Sequence, residues 1–169
     1  ALYGILNGTC NYILTEMTQH DKSYSVALDE AQHKGFAEAD PVMDVSGRDA
    51  AEKLAILASL GFGVSATSDD VWSQGIDELQ LDDIRFGKEL GYDIKLLGIA
   101  ERVDGTKLSL RVHPAFISNE LQLAQVHGSF NALSVYGHAT GHTMYFGRGA
   151  GEMPTASAVV SDLLNVVSG

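Results

Sequence analysis

Basic residues are scarce in this chain: 11 lysines and arginines stand against 22 aspartates and glutamates, a formal charge of -11. Nucleic-acid association depends on clustered Lys and Arg that release counterions from phosphate, so no nucleic-acid partner is expected. Cys10 is the only cysteine, which excludes an intrachain disulfide and fits a reducing, cytoplasmic setting. Beside Ile13 and Leu14 its thiol is expected to be packed, with no base to activate it. No apolar run approaches the roughly 18 to 20 residues of a membrane helix, so no membrane partner is expected. Of the six histidines, His138 and His142 lie four apart but flank a glycine turn, and the rest form no cluster, so no metal ligands are assigned. No Gly-x-Gly-x-x-Gly turn joins a strand to a helix, which removes the usual sign of a dinucleotide-binding unit. Repeats and low-complexity tracts are also absent.

What is present reads as one domain over 1–169. The length suits one compact core, and 45% hydrophobic with 20% charged residues is ordinary for a globular protein. Helical spacing runs over 9–17, again from Tyr24 to Lys34 ahead of Gly35, and from about Gly47 to Leu60 before Gly61 and Gly63. A turn at 67–70 precedes a short helical piece near Trp72, and another helix covers 81–90. The period then shortens. Strands are expected over 94–103 and 107–112 about an Asp104-Gly105 turn, and over 131–137 and 143–146 about a second turn. Lys95 is expected at a solvated strand edge. A last helix begins near Pro154 and returns to the domain. This order predicts an α+β fold, two-layered, with helices on one face of a mostly antiparallel or mixed sheet.

The densest chemistry lies between Gly35 and Leu54. Carboxylates at Glu38, Asp40, Asp44 and Asp49 precede Lys53, in a loop that runs onto a helix. Asp40-Pro41 stiffens the loop, and Ser46 is the expected N-cap, with Asp49 in the first helical turn. Asp49 and Lys53 fall four apart on one helical face. Such a face is either a surface salt bridge or a site for a small zwitterion, with acids for an ammonium and a lysine for an oxygen that changes charge.

The blocks Gly4-Ile5-Leu6-Asn7-Gly8-Thr9-Cys10-Asn11-Tyr12-Ile13-Leu14, Gly35-Phe36-Ala37-Glu38-Ala39-Asp40-Pro41, Gly47-Arg48-Asp49, Ala51-Glu52-Lys53-Leu54, Gly91-Tyr92-Asp93-Ile94-Lys95-Leu96-Leu97-Gly98 and Gly147-Arg148-Gly149-Ala150-Gly151 come in an order that resembles the catalytic domain of homoserine dehydrogenase. The resemblance spans essentially the whole chain. It implies an NAD(P)-dependent enzyme that interconverts L-aspartate 4-semialdehyde and L-homoserine in threonine, methionine and isoleucine biosynthesis. It also implies a substrate-binding and dimerisation portion, a homodimer, whose nucleotide-binding domain lies outside these residues, so that this fragment alone is expected to bind no cofactor and to be inactive.

Residue by residue, the resemblance makes Lys53 the catalytic lysine, with Asp49 its acidic partner. Glu38 and Asp44 become the carboxylates for the substrate amino group. Gly8 and Thr9 are expected near substrate, and Gly149, Ala150 and Gly151 near the cofactor. Met43 departs from the pattern, since several relatives carry a second acid there. The alternative reading is a non-catalytic amino-acid-binding or dimerisation module.

Overall fold

A computed structural model describes residues 1–168. The chain opens with β1 (Leu2–Ile5) and runs directly into α1 (Gly8–His20), α2 (Tyr24–His33), the one-turn α3 (Val42–Val45) and α4 (Arg48–Phe62). A 3-10 turn at Ser68–Asp70 leads to the two-residue β2 (Trp72–Ser73) and α5 (Leu81–Glu89). The long hairpin β3 (Tyr92–Val103) and β4 (Lys107–Ser118), a 3-10 turn at Gln122–Gln125, the hairpin β5 (Asn131–Gly137) and β6 (Gly141–Gly147), and α6 (Glu152–Ser168) complete it.

The sheet order is β2-β4-β3-β1-β5-β6. All pairs are antiparallel except β2 with β4, so the α+β reading holds, with a mixed sheet as expected. One strand that the sequence did not announce, β1, lies at the centre. Leu2, Tyr3 and Gly4 pair with β3 on one side and β5 on the other, joining the two hairpins.

Alternation along β3 divides the molecule. Ile94, Leu96 and Ala100 face the helices, where Ile13, Leu14 and Met17 of α1 and Leu54 of α4 are fully buried. Each such side chain contributes about 1.5 to 3 kcal/mol relative to exposure. Leu97 and Ile99 face the other way, into a smaller cluster with Ile5, Ile117, Leu123 and Val126. On that side the 119–127 segment covers part of the sheet. It leaves an open groove of about 760 Å³ lined by Tyr3, Leu121, Tyr136 and His142.

Four expectations change. Ser46 does not cap α4: it ends α3 in a right-handed helical conformation, and the capping position belongs to Gly47 at φ +82°. Glycine is needed there, because that left-handed turn is strained for other residues and redirects the chain between two helices. Trp72 is in a strand, pairing with Arg111, because β3 occupies only one side of β4 and leaves its other edge open; β4 also runs six residues beyond its expected end at Val112. Lys95 is 2% exposed instead of solvated. Its strand is interior to the sheet, and the 119–127 segment folds over it, so that its ammonium donates to the Val126 carbonyl at 2.7 Å. Finally, α6 does not return to the core: none of its residues is buried, and Met153, Val159, Leu163 and Val167 remain exposed.

Candidate active site

Asn7 organises the acidic region. It caps α1, accepting at Oδ1 from the Cys10 backbone N–H at 2.8 Å. Its Nδ2 donates to Asp44 Oδ1 at 2.6 Å and to Asp49 Oδ2 at 2.8 Å. Two acids from different helices thus share one neutral donor. The turn at Gly47 makes this possible, since it lets α3 and the first turn of α4 converge on the start of α1.

Lys53 completes the array. Its ammonium donates to Asp49 Oδ2 at 2.7 Å and to the Leu6 carbonyl at 3.2 Å. Lys53 stays 48% exposed and Asp49 27%, so the pair opens to solvent. Its structural value is correspondingly small, a few tenths of a kcal/mol for an exposed i,i+4 pair. Among the described residues the side-chain hydrogen bonds to these acids reach Asp44 Oδ1 and Asp49 Oδ2, and leave Asp44 Oδ2 and Asp49 Oδ1 without a donor. Lys53 likewise has two acceptors among the described residues for its three hydrogens.

The sequence-predicted residues divide accordingly. Asp44, Asp49 and Lys53 are joined through Asn7, a residue that the sequence reading quoted but gave no role. The signal that could have found it is an asparagine directly before a helix start, the N-cap position, adjacent in space to two acids. Glu38 is exposed on the loop after α2, and its backbone carbonyl accepts from Gln32. Thr9 anchors that loop, donating its hydroxyl to the Phe36 carbonyl at 2.7 Å. Gly8 begins α1 against the segment that leads into β5: a Cβ there would lie 2.8 Å from the Ser129 carbonyl oxygen. Asp40 accepts from the Val42 backbone N–H, a local turn contact.

Cys10 is wholly buried, as expected, and its thiol donates to the Asp44 carbonyl. Burial pushes the thiol well above its usual range, with Asp44 and Asp49 adding to the effect. It is therefore a packing group and a backbone anchor.

Gly149, Ala150 and Gly151 form the exposed turn between β6 and α6. A groove of about 310 Å³ adjoins this turn, lined by Leu6, Leu57, Asn131, Arg148 and Gly149. Leu6 also supplies the carbonyl that Lys53 holds, so the groove and the acid-lysine array share a wall. Gly149 lies so close to Asn131 that a Cβ would overlap its side chain, and Asn131 Oδ1 is buried without a partner. A mainly apolar groove that carries the Asn131 amide and the Arg148 cation suits an anionic, ring-bearing ligand better than a metal ion. No group of three or more His, Cys, Asp or Glu side chains suited to a metal occurs among the described residues.

Comparison with known proteins gives the family. Residues 1–164 match the family model described as homoserine dehydrogenase. Homoserine dehydrogenase of Bacillus subtilis is 51% identical over 166 residues, covering 98% of this chain and 38% of that protein. The crystal structure of a homoserine dehydrogenase from Thiobacillus denitrificans superposes with a TM-score of 0.95 at 48% identity, covering 98% of this chain and 38% of that one. A hyperthermophilic archaeal homoserine dehydrogenase mutant in complex with NADPH reaches 0.77 at 29% identity, over 96% of this chain and 46% of that one. The chain spans about two-fifths of the length of the curated relatives it matches. With its ordered blocks, its fold and its clustered Asp44, Asp49 and Lys53 in place, the chain belongs to the homoserine dehydrogenase family.

Proposed function

We propose that residues 1–169 are the single substrate-binding and dimerisation domain of an NAD(P)-dependent homoserine dehydrogenase, interconverting L-aspartate 4-semialdehyde and L-homoserine. The observation that carries this reading is the contact series from Asp44 through Asn7 and Asp49 to Lys53. It sets paired carboxylates, which suit an ammonium, beside a lysine, which suits an oxygen gaining a proton.

Bound NAD(P)H would supply the hydride. The residues of this chain do the rest. Asp44, with one carboxylate oxygen uncommitted, and Glu38, on the loop anchored by Thr9, attract the amino group of the substrate. Lys53 directs its remaining N–H to the aldehyde oxygen, stabilises the charge that develops there and delivers the proton. Asp49 fixes the lysine. Gly149, Ala150 and Gly151 present backbone N–H groups to the cofactor at the start of α6. The same reading gives α6 a partner: its exposed apolar residues suit packing against a nucleotide-binding domain elsewhere in the enzyme. The open sheet face, with Tyr136 and Leu121 exposed, suits a second copy of the chain. A cytoplasmic biosynthetic enzyme fits the lone reduced cysteine, and no helix among the described residues is long and apolar enough to cross a membrane.

The test is steady-state oxidation of L-homoserine with NAD(P)+ by the full-length enzyme that contains this domain. Turnover is expected, and Lys53→Ala should lower kcat by about 10² to 10⁴ with a small change in KM. Threonine binding without homoserine turnover would refute the reading in favour of an amino-acid-binding module.

A further inference from the structure

Asn7 is 4% exposed and uses both hydrogens of its amide nitrogen and one acceptor position of its oxygen. Oδ1 accepts from Cys10, and the two Nδ2 hydrogens go to Asp44 and Asp49. The orientation of the amide is fixed chemically. The reverse assignment would set its oxygen against two carboxylates and its NH2 against a backbone N–H. Capping α1 requires only the oxygen, and serine or aspartate caps as well as asparagine. The second half of the side chain, the doubly donating nitrogen, therefore has a different consequence. It holds two like charges from separate helices within reach of one atom, without adding a charge of its own.

Resting on the function proposed above, we propose that Asn7 is a positioning residue of the catalytic site, setting Asp44 for the substrate ammonium and Asp49, and through it Lys53, for the reacting oxygen. An acid in its place would repel both carboxylates. A lysine would neutralise them and compete with the substrate amine. A side chain without a second donor would let them separate. Only a neutral amide both caps the helix and ties the two acids.

Two variants of the full-length enzyme separate this role from capping. Asn7→Ser keeps a capping oxygen and loses the donors to both acids. Its kcat should fall by about 10- to 100-fold, the scale on which small displacements of reacting groups act, in constant ratio to wild type across pH. Asn7→Asp also keeps the cap, but its carboxylate faces Asp44 and Asp49. It can substitute for one donor only when protonated, so its kcat relative to wild type should rise as pH falls.

A capping asparagine predicts instead that Asn7→Asp matches wild type at every pH. That result, or a depressed ratio that does not change with pH, would overturn the proposal. Urea unfolding reads the same contact without substrate. The added acid takes up a proton more readily in the folded protein than in the unfolded chain, so the stability deficit of Asn7→Asp should deepen as pH rises above about 4. A deficit that is constant with pH would again overturn the proposal. Absence of homoserine turnover by wild type would refute the function proposed above, and the unfolding measurement would then decide the Asn7 contact on its own.

Discussion

Replacing Lys95 with methionine turns a buried charge into a measurable dependence of stability on pH. The Lys95 amine lies in the sheet interior beside Asp93 and His127, and burial pushes it down from 10.5 to about 8, against a smaller opposing pull from Asp93. Below pH 8 both folded and unfolded chains carry the ammonium, and the folded one bears the full penalty of burial. Between pH 8 and 10.5 the folded protein releases the proton while the unfolded chain retains it, so this group's contribution to stability rises with pH. At about 1.4 kcal/mol for each pH unit, the whole change is about 3 kcal/mol. Methionine is close in length and removes the titration. It also forfeits the hydrogen bond to Val126, worth about 1 kcal/mol, although that carbonyl keeps Asn11 as a donor at 3.1 Å. Lys95→Met should therefore be more stable than wild type by about 2 kcal/mol at pH 7 and less stable by about 1 kcal/mol near pH 11. Urea unfolding of both proteins across this range supplies the difference. Tyr3 and Tyr24, both pushed up to about 12, titrate alike in the two proteins and cancel. A difference that does not change between pH 7 and 11 would refute the argument.

Two further outcomes are expected. Gly8→Ala inserts a methyl 2.8 Å from the Ser129 backbone oxygen, where a flexible side chain cannot give way. It should destabilise by about 1 to 3 kcal/mol in thermal or urea unfolding, and an unchanged midpoint would show that the backbone at Ser129 moves away from α1 freely. Tyr136→Asp places a charge on the open sheet face. Sedimentation velocity at micromolar concentration should show a dimeric wild type and a monomeric variant, and a variant that sediments as wild type would exclude this face as the contact.

Long periodic segments were legible because helix and strand spacing are local properties. The helix at Tyr24–His33 and the helix at Leu81–Glu89 came out near their expected bounds, and the hairpin turns at Asp104-Gly105 as expected, although its second strand runs on to Ser118. The short elements did not. Leu2–Ile5 has too few residues to display alternation, and it is a strand because the hairpins on both sides provide partners for its backbone. Trp72 and Ser73 become a strand for the same reason, on the edge of β4. Ser46 has the chemistry of a cap, but the turn at Gly47 took the position.

The sequence by itself determined the family resemblance, the acidic character and the i,i+4 placement of Asp49 and Lys53, because these depend on residue identity and on spacing within one helix. Only the tertiary structure decided that Asn7 would meet both Asp44 and Asp49, and that Lys95 would be enclosed beneath the 119–127 segment. Those contacts join residues 31 to 42 positions apart, and no local preference specifies them. They exist because the central strand and the turn at Gly47 fix where separate helices and loops come together.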